Sequence, residues 1–188
     1  VQWETNFYYM MMKNMIRLFP ADTRSIYTNL GKTRTIGMDT DVKVDVTRNV
    51  YLYFNLTLQD IRDRQRWFND EQGTSNPTYN KHVPNIPAFY YNYGMEYHAE
   101  GLIGRRELSR VYIDVSHVGE FDWGWQMSTL AEEHRKWRIP SNDVFTIGLQ
   151  QSLWHNNISL SFELENIFNK ENYMEFKMPL PGRTLKAK

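Results

Sequence analysis

Glu163 and Glu165 are a pair of carboxylates close enough in sequence to suggest acid–base chemistry. Two carboxyl groups with different pKa values can divide the roles of proton donor and acceptor. Their setting argues otherwise. The run Ile158-Ser-Leu-Ser-Phe-Glu-Leu-Glu165 alternates strictly between apolar and polar residues. A strand's period of two makes Glu163 and Glu165 successive positions on one polar face. The five histidines, at 82, 98, 117, 134 and 155, are scattered without the paired spacing of metal ligands. Gly-x-Ser-x-Gly, phosphate-loop and His-Glu-x-x-His motifs are absent. No catalytic residue, no metal and no cofactor are expected, and the chain is not read as an enzyme.

What remains is the chemistry of non-covalent contact. Trp123, Trp125, His134, Arg135 and Trp137 lie in or beside one polar segment. Indole planes stack on sugars, and imidazole and guanidinium groups meet anionic or metal-bearing ligands. Glu132 to Trp137 also reads simply as a solvated, charged loop. Tyr91, Tyr93, Tyr97, Phe121 and Trp154 join the same tryptophans near strand ends. There the preferred reading is a girdle of amphipathic rings at a membrane interface, with a carbohydrate-stacking platform at Trp123 and Trp125 as the sharper alternative.

The elements that would position these groups are strands. Residues 35–46 alternate Ile36, Met38, Val42, Val44 and Val46 against Asp39, Asp41, Lys43 and Asp45. Residues 50–58 alternate likewise, and the short link between the two runs predicts an antiparallel hairpin. The same pattern recurs at 91–99, 111–116, 145–153 and 158–165. Residues 6–16 are aromatic and Met-rich but alternate poorly, and Met10 to Met12 are expected to face lipid or to pack. With a closing segment at 183–188, about eight strands are predicted.

Connections at 46–49, 100–108 and 154–157 are short. Those at 17–33, 62–87, 124–142 and 167–181 are long, polar and aromatic, with Ser75 to Thr78 expected at a mobile tip. Short turns at one end and long loops at the other are the pattern of an outer-membrane barrel. The 22 Lys and Arg balance the 22 Asp and Glu, so no charge excess points to nucleic acid. No apolar run reaches the roughly 18 residues of a transmembrane helix. A mean hydropathy of -0.64 suits alternating strands, which average to a polar value.

Asn166-Ile167-Phe168-Asn169-Lys170, followed by Pro181-Gly182-Arg183, resembles the C-terminal end of TonB-dependent outer-membrane receptors. In that family an Asn-Leu/Ile-Phe-Asp/Asn-Lys box ends one strand and a Pro-Gly-Arg turn starts the closing one. Asn166, Phe168, Pro181, Gly182 and Arg183 carry the match as structural residues. Upstream, Pro84-Asn85-Ile86-Pro87 resembles the proline-rich lead-in to a barrel strand, where a missing N–H costs little. Gly37-Met38-Asp39 resembles the Gly-hydrophobic-Glu that opens another, with Asp in place of Glu.

The resemblance implies an all-β fold, an antiparallel transmembrane β-barrel of which residues 1–188 supply about eight of roughly 22 strands. The chain is expected to be the C-terminal segment of that barrel. The plug domain and energy-coupling box would lie outside it, and its last strand would stop short of the usual terminal aromatic. The implied function is import of a scarce nutrient (ferric siderophore, haem, vitamin or oligosaccharide) across the bacterial outer membrane. The implied partners are that ligand at the outer face, outer-membrane lipid, the receptor's own plug and, through it, TonB. Loops 62–87 and 124–142 are the expected ligand contacts. Two alternatives stand beside this one: a small closed outer-membrane barrel acting as an adhesin or structural protein, and a soluble carbohydrate-binding β-sandwich.

Overall fold

The computed structural model describes residues 1–20, 25–67, 75–126, 137–175 and 177–188, and only the backbone of 15–20 and 25–30. Its regular elements are strands throughout. In chain order they are β1 (Gln2–Pro20), β2 (Ser25–Asp45), β3 (Val50–Asp63), β4 (Phe89–Glu100), β5 (Leu108–Val118), β6 (Phe121–Asp122), β7 (Arg138–Ile139), β8 (Asn142–Leu153), β9 (Ile158–Glu165), β10 (Tyr173–Glu175), β11 (Met178–Pro179) and β12 (Thr184–Ala187).

Eight of these form one sheet in the order β1-β2-β3-β4-β5-β8-β9-β12. Every neighbouring pair is antiparallel. The expected strands and the 46–49 hairpin are all present. Prolines 84 and 87 precede β4, and the Gln59 N–H reaches the Ala88 carbonyl at 2.7 Å as that strand begins. Among the described residues no second sheet covers the apolar face and no ladder joins β1 to β12. The layout is therefore a segment of wall, neither a sandwich nor a closed small barrel.

Three expectations change. Of residues 17–33, expected as a loop, 17–20 and 25–33 are strand, β1 and β2 pairing from Gln2↔Lys43 to Pro20↔Ser25, and 21–24 lie outside the described residues. Ladder bonds need only backbone, so a stretch without alternation still pairs. At about 3.4 Å per residue β1 runs about 65 Å, where a membrane-spanning strand needs roughly 9–11 residues. Met10 to Met12 do not face one way. Met11 shares a side with Ile36, whereas Met10 and Met12 partner Thr35 and Thr33 on the other. Ser75 to Thr78 is no free tip, since Asn76 and Thr78 are buried and hydrogen-bonded.

Register sorts the side chains into two faces. Rows such as Trp3-Val42-Phe54-Tyr93-Val115-Phe145 and Phe7-Met38-Leu58-Phe89 make one face apolar. It is largely open to its surroundings; Ile36, Met95, Ile113, Ile147 and Phe162 all remain exposed. Aromatic rings band its two ends, with Trp3 and Tyr97 toward the short turns and Tyr9, Phe89 and Tyr91 toward the long loops.

The opposite face is a hydrogen-bonded polar lattice. Arg110 binds Glu96, Tyr112 Oη donates to Glu163 at 2.5 Å, Tyr53 donates to Asp114, and Asn55 donates to Asp41 at 2.9 Å. Glu163 and Glu165 share Lys186, at 3.2 and 2.6 Å. The two carboxylates are thus neutralised members of this lattice.

Tyrosines on the polar face lie over glycines directly opposite: Tyr8 on Gly37, Tyr53 on Gly94 and Tyr112 on Gly148. A Cβ at position 148 would sit 2.1 Å from Tyr112 Cζ. Only glycine lets the ring lie flat and its hydroxyl reach Glu163. Gly148→Ala should therefore lower stability by about 2–3 kcal/mol, through overpacking plus one lost charged hydrogen bond. Urea unfolding of the barrel in lipid would measure this against Gly124→Ala, where the added methyl meets nothing within 4 Å.

Candidate ligand-facing loop platform

All the long connections leave the sheet at one end, and the described parts are tied down. The first is anchored by Asp63, the last residue of β3, which is 2% exposed. Its carboxylate accepts from the Gln65 N–H at 2.8 Å, Asn76 Nδ2 at 3.1 Å and Thr78 Oγ1 at 2.6 Å. The Asn76 N–H adds a bond to the Arg66 carbonyl at 2.9 Å. A buried carboxylate is tolerated when donors surround it, and here they come from 2 to 15 residues away. The connection is folded back on its own strand as a result.

The second connection grows from a continuing ladder. β5 and β8 pair to Val118↔Asn142, and beyond a short break β6 pairs with β7 at Phe121↔Ile139 and Asp122↔Arg138. The Trp123 N–H then donates to the Trp137 carbonyl at 2.8 Å. Their indoles stack with centroids 5.4 Å apart and planes 17° from parallel. Both rings are exposed, and Trp125 is half-buried two residues on. Arg138 holds Glu120 at 2.9 Å and lies 3.7 Å from Asp122.

Neighbouring connections are stitched together. The Asn85 N–H donates to the Asp122 carbonyl at 2.7 Å, and Lys81 Nζ reaches the Gln126 carbonyl. On the other side Asn142 exchanges two bonds with the Tyr173 backbone, at 2.6 and 2.8 Å. Asn172, 1% exposed, donates to the Asp143 carbonyl at 3.0 Å. Between these connections lies a cleft of about 220 Å³, lined by Arg138, Ile139, Pro140, Tyr173, Glu175 and Lys177. The Glu171 carboxylate, accepting from the Tyr173 hydroxyl at 2.5 Å, holds that phenol above its usual pKa.

The third connection shows what the Asn-Ile-Phe-Asn-Lys box does. Asn166 is 3% exposed with φ 52°, a left-handed conformation that asparagine tolerates. Its side chain bonds the Lys170 N–H at 2.9 Å and the Lys170 carbonyl at 2.8 Å, and reaches the Pro181 carbonyl at 3.4 Å. Asn169 Oδ1 accepts from the Arg183 N–H at 2.9 Å. A Cβ on Gly182 would lie 2.7 Å from that same oxygen. Phe168 is exposed and meets Phe145 edge-on at 4.9 Å. The two halves of the tail thus touch, and the first aims the chain into β12.

Of the sequence-predicted contact residues, Trp123 and Trp137 come together and Trp125 stands near them. His134 and Arg135 lie outside the described residues. The Asp63 anchor, the Asn142–Asn172 clamp and the cleft beside Tyr173 carried no sequence signal beyond loop-typical Asn, Asp and Thr. His117 was also missed. It stacks between Tyr91 and Phe89, at 4.6 and 5.5 Å, and meets Asp143 at 2.5 Å, where Lys170 also binds.

No family model matches this sequence, and no curated protein matches it. Solved structures do match. The ferric yersiniabactin uptake receptor FyuA from Yersinia pestis is similar at a TM-score of 0.65 and 13% identity, over 99% of this chain and 25% of that one. BauA, the ferric preacinetobactin receptor from Acinetobacter baumannii, is similar at 0.64 and 12%, over 97% and 25%. This chain spans about a quarter of the length of each. At that identity the likeness speaks for the fold alone: an antiparallel eight-stranded wall like part of the barrels of those two receptors, the fold that the tail's resemblance implied.

Proposed function

We propose that residues 1–188 are the C-terminal part of the barrel of a TonB-dependent outer-membrane receptor, and that the whole protein imports a scarce nutrient. A ferric siderophore is the favoured cargo class, since both similar structures are receptors for ferric ligands. The observation that carries the reading is the division of one sheet into an apolar face and a bonded polar face, with stitched connections at one end only. The apolar face would meet lipid and the polar face the lumen and the receptor's own plug. Energy would come from TonB acting through that plug.

The chain would perform no covalent chemistry. Its part is to shape one side of the outer vestibule. The cleft beside Tyr173 is smaller than the roughly 300–1,000 Å³ of a complete small-molecule site, so the remaining walls would come from elsewhere in the receptor. The Trp123–Trp137 pair offers a flat surface for a chelate ring or sugar.

In the full receptor, Trp123→Ala combined with Trp137→Ala should weaken ligand binding by about 5- to 150-fold, since each stacked aromatic contributes about 0.5–1.5 kcal/mol beyond its burial. Binding of radiolabelled ferric chelates to whole cells, with growth on the same chelates as sole iron source, would measure it. Unchanged affinity and growth would remove this pair from the binding surface. Failure of a receptor deletion to alter uptake of any ferric chelate would sink the cargo class.

A further inference from the structure

The short-turn end of the wall repeats one combination three times, an exposed apolar side chain beside a basic one. Turn 46–49 carries Val46 with Arg48, turn 100–108 carries Leu102 and Ile103 with Arg105 and Arg106, and turn 154–157 carries Trp154 with His155. Trp154 is 71% exposed and Leu102 62%. Among the described residues none of the three arginines has an ion-pair partner. Of the nearby carboxylates, Asp45 and Glu100 stand in polar-face rows. Glu107 lies against Gly104, where an added Cβ would sit 2.5 Å from its Oε2.

The turns that carry these side chains are held in place. Thr47 Oγ1 accepts from the Asn49 and Val50 N–H groups at 3.1 and 3.0 Å, and Asn49 Nδ2 donates to the His98 carbonyl at 2.7 Å. Asn156 Nδ2 donates to the Arg106 carbonyl at 3.2 Å, and Ser152 Oγ accepts from the Leu108 N–H at 2.6 Å, so the second and third turns are tied together. Trp154, His155 and Asn156 have φ of 53°, 59° and 65° in succession. That left-handed region is uncommon for Trp and His, and backbone strain of this kind collects at ligand clamps.

Register sets the level of the turns. The three hairpins end on Asp45↔Tyr51, Glu100↔Leu108 and Leu153↔Ile158. Tyr51 shares a row with Gly148, so the third hairpin ends five residues lower, at Leu153, across four strand spacings. At about 3.4 Å per residue and about 4.8 Å per strand this is a slope of roughly 42°, which matches the strand tilt of about 35–45° in a barrel. The first and third turns therefore stand at one level across the barrel axis, and the second ends about 4 Å beyond it. That level is the foot of the apolar face, whose side chains continue to Val50, Tyr97, Leu153 and Ile158.

We infer that this rim binds an anionic diacyl phospholipid of the periplasmic leaflet. Its phosphate would lie between Arg105 and Arg106, and its acyl chains against Leu102, Ile103 and the Leu153–Ile158 rung. A headgroup layer of roughly 5–8 Å borders the hydrocarbon, which is where the second turn stands. Guanidinium groups bind phosphate in a bidentate fork, and apolar side chains beside cations hold a protein at a membrane surface. The positive charge selects anionic headgroups over zwitterionic ones. An acidic soluble protein would match the arginines and leave the apolar side chains at the foot of the lipid-facing rows without a role.

The inference rests on the membrane reading above, and the experiment separates the two. The full receptor is placed in nanodiscs mixed from phosphatidylglycerol and phosphatidylethanolamine, and the lipids retained on each copy are counted by native mass spectrometry. Phosphatidylglycerol should be retained in preference by about 25-fold, roughly fivefold for each of Arg105 and Arg106. Arg105→Gln combined with Arg106→Gln should remove that preference, and Arg105→Lys combined with Arg106→Lys should keep it. Heat-modifiable mobility on gels reports that each variant is folded. Where the double Gln variant does not fold, Arg106→Gln alone decides the matter, with an expected loss of about fivefold. Leu102→Ser combined with Ile103→Ser should weaken retention of both lipids alike, and millimolar inorganic phosphate should displace neither. A wild-type receptor that inserts yet shows no preference overturns the site, as does a folded Gln variant that keeps the full preference. Displacement by phosphate, or unchanged retention in the serine variant, overturns the role of the apolar side chains. A protein that never enters the nanodisc fails the membrane reading itself.

Discussion

Asn166→Ala should lower the unfolding free energy of the barrel by about 2–4 kcal/mol. The magnitude follows from two effects acting on one residue. The side chain satisfies both the N–H and the carbonyl of Lys170, and loss of a buried hydrogen-bonding partner costs about 1–3 kcal/mol. The backbone at φ 52° then adds about 1 kcal/mol of strain, because alanine resists the left-handed region. Glycine at 166 removes the strain and keeps the hydrogen-bond loss, so it should fall between wild type and alanine. Asp at 166 keeps the acceptor for the Lys170 N–H but loses the donor to the Lys170 carbonyl, and it too should be intermediate. Heat-modifiable mobility on gels and urea midpoints in lipid would rank the series. Alanine as stable as wild type would show that the box does not aim β12.

Asp63→Ala should open one connection and spare the wall. Removing the carboxylate leaves the Gln65 N–H, Asn76 Nδ2 and Thr78 Oγ1 without their acceptor. Hydrogen bonds to a charged group contribute about 1.5–3 kcal/mol each, and a loosened connection regains part of that from water. A net local loss of about 3–4 kcal/mol raises the open population roughly a hundred- to a thousandfold. Proteolysis within residues 64–88 should accelerate by that factor, since cleavage tracks the open form when reclosure is fast. The midpoint of global unfolding should barely move. A ligand that needs this connection in place would then bind more weakly, because binding must now order it. Equal shifts in proteolysis and global unfolding would mean that Asp63 supports the sheet instead.

How much of this was legible in the sequence depends on what each residue faces. Runs 35–46, 50–58, 91–99 and 158–165 announce themselves because their two faces meet unlike surroundings, so apolar and polar residues must alternate. β1 hides because Tyr8 sits on the polar face over Gly37, placing an aromatic residue where the pattern asks for a polar one. The outer halves of β1 and β2 were invisible for a different reason: paired backbone needs no alternation, and their composition reads as a loop. Phe168 and the residues around it were found by motif, although the reason for the motif, Asn169 catching the Arg183 N–H, needed coordinates. Trp123 and Trp137 were singled out separately, and the register that stacks them is a property of a ladder begun far below. Asp63, Asn76 and Thr78 carried no signal, since Asp, Asn and Thr are ordinary in loops and their meeting depends on how the chain folds back.

The order of the main sheet, in which each strand touches only the one before it and the one after, makes the wall nearly one-dimensional in its energetics. Each strand then behaves like a link with two couplings, as in repeat proteins. Substitutions on β2 and β8 have no shared neighbour and should combine additively to within about 0.5 kcal/mol. Substitutions at Tyr112 and Gly148, which lie opposite each other, should not. The same property makes the hairpin the natural unit of change. An adjacent pair of strands can be gained or lost without rewiring the remainder, which widens or narrows the barrel and leaves the neighbouring contacts as they were.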